Sequence, residues 1–149
     1  MLKPRSLWLV IGLTSLVLAT GCGSGTGGAV TDPAALQGTW VAESFAGADD
    51  LVPADAEVTT ELTLDDGQAT GTGGVNRFMT SYEASEDGSI SFGAVASTRM
   101  AGPDNAMAQE TAFLSALESA ERFEIDDGRL VLTDAGDNTL VVLAQPQPE

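Results

Sequence analysis

Histidine is absent from this 149-residue chain, and cysteine and lysine occur once each, as Cys22 and Lys3. Without them the commonest nucleophile and base pairs cannot be assembled, and the usual zinc sites go too. A lone cysteine forms no intramolecular disulfide, so the core must hold without a staple. Long apolar runs are also scarce: Leu7 to Ala19 is the one that stands out, and it is short for a bilayer span. Two carboxylates could act as acid and base in a glycosidase, but the 22 Asp and Glu show no spacing that singles out a pair. The expectation is therefore a protein with no catalytic residue, no metal and no cofactor.

What stands at the N-terminus speaks to location. Lys3 and Arg5 precede the apolar run, as in a secretory signal peptide. Leu18-Ala19-Thr20-Gly21-Cys22 then resembles the lipobox of bacterial lipoproteins, with Ala19 where leucine is commoner. On this reading residues 1–21 are removed and Cys22 carries the lipid; the alternatives are an ordinary signal cut near Ala19 and a retained membrane helix. Residues 22–31 hold a Gly/Ser-rich tether whose coil-like reach is roughly 15 to 18 Å. One domain over 32–144 and a disordered tail at 145–149 complete the chain. The expected place is the cell envelope, outside the cytoplasm, with the lipid as the membrane contact.

Four arginines (Arg77, Arg99, Arg122, Arg129) stand against all 22 carboxylates once the signal is gone. Such a surface repels nucleic acid and anionic headgroups. It serves solubility or salt adaptation, or else favours a cationic partner or divalent ions.

Alternating or β-branched segments at 38–45, 58–64, 68–73, 78–83, 89–95, 123–125, 129–133 and 139–143 read as eight strands. Asp-Gly pairs at 66–67, 87–88 and 127–128, and the run 134–138, supply the hairpin turns; no calcium loop pattern is present. From Pro103 to about Ala120 the period changes. Ala106, Met107, Phe113, Leu114, Leu117 and Ala120 share one helical face, with Pro103 in the first turn and Asp104 suiting the dipole. Glu110 falls on that apolar stripe and needs a partner; Arg77 or Arg99 is expected.

The stretch TGTGGVNRFMTSYE, residues 70–83, raises the question of a phosphate loop. No Gly-Lys-Ser/Thr ending follows the glycines and strands flank them, so Gly71, Gly73 and Gly74 read as a bulge or sharp bend. Asn76 would satisfy backbone groups in the bend, and Phe78 would face the core.

Gly38-Thr39-Trp40, the run Gly73-Gly74-Val75-Asn76-Arg77-Phe78 with Tyr82, Thr98-Arg99-Met100, and the helix with Glu110 together resemble a META domain of the HslJ-like family over about Leu36 to Leu143. The resemblance implies an α+β fold: a curved, barrel-like antiparallel sheet of about eight strands with one amphipathic helix against it. It also looks like the cracked-barrel pilotins, lipoproteins that hold a lipid or a partner's tail. The family usually has cysteine where Val75 and Gly102 stand, which implies that these positions face one another.

For function the resemblance implies a link to the envelope and heat stress; with the residue inventory and the lipobox, the expectation is a non-catalytic envelope lipoprotein, a monomer. One reading is a binding or chaperone-like module that holds a hydrophobic peptide or lipid between helix and sheet. Its aromatic candidates are Trp40, Phe45, Phe78, Tyr82, Phe92, Phe113 and Phe123, which plain core explains as well. The alternative is a structural or stress-protective lipoprotein that acts through its acidic surface without a small ligand.

Overall fold

The computed structural model describes residues 28–147; Cys22, the stretch 1–21 expected to be a signal peptide and the last two residues lie outside it. A short 3-10 helix, Pro33–Leu36, is capped by the Asp32 carboxylate on the Ala34 amide. The strands that follow are β1 (Gly38–Ala46), β2 (Leu51–Pro53), β3 (Glu61–Asp65), β4 (Gln68–Thr72), β5 (Arg77–Ala84), β6 (Ile90–Phe92) and β7 (Ala96–Ser97). Helix α1 (Asp104–Ser119) precedes β8 (Arg122–Asp126), β9 (Arg129–Thr133) and β10 (Thr139–Ala144).

Eight strands form one antiparallel path, β6-β5-β4-β3-β1-β10-β9-β8. A bridge between Ser89 and Arg122 brings its ends together, so the sheet is a nearly closed barrel with one helix packed against it. The eight strands and the single helix are those the periodicity indicates. β2 and β7 are additional, attached to β1 and β5. Val30 exchanges two 2.8 Å backbone bonds with Ile125, so pairing starts before the expected domain boundary at residue 32.

Alternation decides which face each strand buries. On β5, Phe78, Thr80 and Tyr82 are buried while Arg77, Met79, Ser81 and Glu83 are exposed. Strand β1 breaks the period: Trp40 and Ala42 face inward, and so does Phe45, three residues on. The cause is a bulge between Ala42 and Ser44 in the pairing with β10, which leaves Glu43 unmatched and flips the parity. The Asp66-Gly67 and Asp127-Gly128 turns have positive φ at both central residues, as two-residue hairpins require.

Helix α1 buries Ala106, Glu110, Phe113, Ala116 and Leu117. Pro103 stands at the N-cap, one position before the expected first turn. The Phe113 ring meets Phe78 and Phe45 edge-on, with centroids 5.6 and 6.3 Å apart. Trp40, buried beside Leu36, donates its indole N–H to the Leu36 carbonyl at 2.8 Å. These side chains fill the space between helix and sheet.

Candidate functional site

The turn between β4 and β5 is organised around one carboxylate. Glu110 is 6% exposed and accepts from the Val75 amide at 2.9 Å, the Asn76 amide at 2.6 Å and Asn76 Nδ2 at 2.7 Å. Asn76 reaches the other way as well. Its Nδ2 donates to the Met100 carbonyl at 3.1 Å, and its Oδ1 accepts from the Met100 amide at 2.6 Å and from Thr98 Oγ1 at 2.9 Å. The Asn76 amide thus pairs with Met100 as a neighbouring strand would, and these partners fix which way the amide points. Helix, turn and the segment 98–100 are tied into one frame.

Burial pushes the Glu110 carboxyl up, but the bonds from Asn76 and the Val75 amide outweigh it and hold the group below the ordinary glutamate value. The expected ion pair with Arg77 or Arg99 is not formed: neither arginine makes a salt bridge among the described residues. Parity gives the reason for Arg77. Its neighbour Phe78 faces the core, so Arg77 faces solvent. Three N–H donors do the work assigned to a cation.

The glycines serve close approach. A Cβ on Gly73 would lie 2.6 Å from Glu110 Cγ, and one on Gly71 would collide with the Glu61 carbonyl. Gly74 has φ +148, and a Cβ there would lie 2.9 Å from the Ala106 carbonyl oxygen. Gly73→Ala is therefore expected to destabilise the fold by about 1 to 3 kcal/mol by displacing Glu110. Urea unfolding checks this; an unchanged midpoint would mean that the helix does not press on the turn.

The other singled-out residues sort by burial. Tyr82 is buried, with its hydroxyl accepting from Gln37 Nε2 at 3.0 Å, whereas Thr98, Arg99 and Met100 are exposed. Val75 and Gly102 do face each other: a Cβ on Gly102 would lie 3.2 Å from the Val75 Cβ. Sequence reasoning gave no role to Gln109. Its side chain accepts from the Asp55 amide and donates to the Val58 carbonyl and Thr60 Oγ1, fastening the 55–60 loop to α1. Its place beside Glu110 in the sequence is the one signal that could have marked it.

Among the described residues no three Asp, Glu, Cys or His side chains converge to hold a metal. A groove of about 600 Å3 opens on the outer face of the sheet, lined by Glu61, Thr70, Thr72, Arg77, Met79 and β7. A second hollow, about 500 Å3, lies between Pro33, Gln37 and Tyr82. Neither of these two hollows is lined by α1. Trp40, Phe45, Phe78, Tyr82, Phe113 and Phe123 are buried core, and Phe92 is partly so.

A family model described as META domain matches residues 16–147. An NMR structure of a protein from Burkholderia xenovorans is similar, with a TM-score of 0.65 at 25% identity over 80% of this chain and 91% of that one. The crystal structure of a DUF4847 family protein from Bacteroides vulgatus gives a TM-score of 0.54 at 17% identity over 76% of this chain and 96% of that one. The latter shows likeness of fold alone. No curated protein matches.

Proposed function

The chain belongs to the META domain family, and from that premise we propose that it is a non-catalytic, lipid-anchored envelope domain whose outer groove receives a segment of a partner polypeptide. The observation that carries this is the groove over β3, β4, β5 and β7, where Met79 lies 55% exposed in a concave surface. An exposed methionine in a hollow offers a deformable apolar contact. The space between helix and sheet is taken up by core side chains such as Phe45, Phe78 and Phe113. Lipidation at Cys22 would hold the groove near the membrane, suiting a role with unfolding or stressed envelope proteins.

A photo-crosslinking residue at Met79 in the full lipoprotein, activated in intact cells, tests this. Polypeptide adducts are expected at position 79 and not at Glu43, an exposed β1 position away from the groove. Equal yields at both sites, or none at 79, would favour action through the acidic surface without a bound segment.

A further inference from the structure

We infer that the occupant of the groove is an extended, acidic segment that adds as a strand to the free edge of β7; this rests on the groove reading above. Strand β7 pairs with β5 only through Phe78–Ser97 and Met79–Ala96. The Thr98 amide, next in the chain, donates to the Arg77 carbonyl at 3.0 Å, so Thr98 faces β5. Successive residues of an antiparallel strand alternate in this respect, so Ser97 turns its N–H and C=O away from β5. Among the described residues no strand pairs with that side, and Ala96 and Ser97 are both exposed. An unpaired edge of this kind is a template for an extended peptide.

Charge decides which peptide. Arg122 and Arg129 are engaged, by Asp137 and by Glu43 and Asp127. Arg77 and Arg99 make no ion pair among the described residues, are exposed, and both stand at the β5–β7 margin. On a surface otherwise dominated by carboxylates, the two arginines without a carboxylate partner among the described residues stand together at one end of this open edge. Glu61 lies across the groove from Arg77, two strands away in the row Glu61–Thr72–Arg77. An acidic side chain is therefore attracted at the β7 edge, and Glu61 disfavours a placement over β3 and β4 instead. Its outward apolar residues cover Ala96 and Met79, and its carboxylates meet Arg77 and Arg99.

The test uses the full lipoprotein in detergent and three labelled nine-residue peptides of alternating valine and threonine. They carry two glutamates, two glutamines or two lysines at the same positions. Exposed arginine–carboxylate pairs contribute modestly, so the glutamate peptide is expected to bind about 5- to 10-fold tighter than the glutamine peptide at low salt. That preference should vanish in Arg77→Gln/Arg99→Gln, and Ser97→Pro, which removes the edge N–H, should weaken every peptide. Thermal melts confirm that the variants fold. Equal binding of the glutamate and glutamine peptides, or a preference that survives the double variant, overturns the acidic assignment and leaves the groove reading standing if Ser97→Pro still weakens binding. No binding of any peptide, with no adduct at position 79, overturns both.

Discussion

Replacing Glu110 with alanine is expected to cost about 3 to 5 kcal/mol, because it strands the Val75 amide, the Asn76 amide and Asn76 Nδ2 without an acceptor in a buried site. For a domain of this size that lowers the melting temperature by roughly 10 to 20 °C. Glu110→Gln should fall between. Its one oxygen can serve the two backbone amides, but its NH2 then faces the Asn76 NH2, donor to donor. Acid should reveal the same group. The folded-state pKa is depressed, so the stabilisation is complete above the unfolded glutamate value and is lost as pH falls through the folded one. Wild type should weaken over that acidic window more than Glu110→Gln does. Urea unfolding at neutral and acidic pH decides it; parallel pH profiles would show that the carboxylate is not the frame's acceptor.

The second large effect runs the other way. Val75→Cys combined with Gly102→Cys should form a disulfide on mild oxidation and add about 3 to 4 kcal/mol by closing the loop 75–102. The Cβ separation of 3.2 Å is slightly shorter than the 3.5 to 4.5 Å usual in disulfides, so a small backbone adjustment accommodates the bond. Gly102→Cys alone should destabilise, since its side chain would press on the Val75 methyl groups. Melting with and without reductant separates the cases. A pair that stays reduced under oxidising conditions would contradict the facing geometry that the family resemblance implies.

How much of this was legible in the sequence depends on the kind of signal. Leu62 and Leu64, Phe78 and Tyr82, and Leu130 and Leu132 lie at strand period, and the helix stripe lies at its own, so eight strands and one helix could be read directly. The bulge beside Glu43 left no mark, because the residue that breaks the register is an ordinary exposed one. β2 and β7, with three and two residues, are shorter than any period can report. Glu110 stands out in the sequence as a charge on an apolar stripe, and its need for a partner is legible there. The alternation on β5 points Arg77 away from Phe78's side, so backbone and amide N–H groups take the place of a cation. The groove was not legible, since it depends on how four strands curve together and on which arginines find carboxylates elsewhere.

Strand addition at β7 requires an open edge at Ser97, and residue-resolved amide hydrogen exchange on the full chain reads it directly. In the free protein the Ser97 amide should exchange far faster than the Thr98 amide, whose bond to the Arg77 carbonyl is part of the sheet. With the glutamate peptide bound, Ser97 should slow toward the Thr98 rate. An amide already protected in the free chain, or one that stays fast when the peptide is bound, would contradict strand addition at β7.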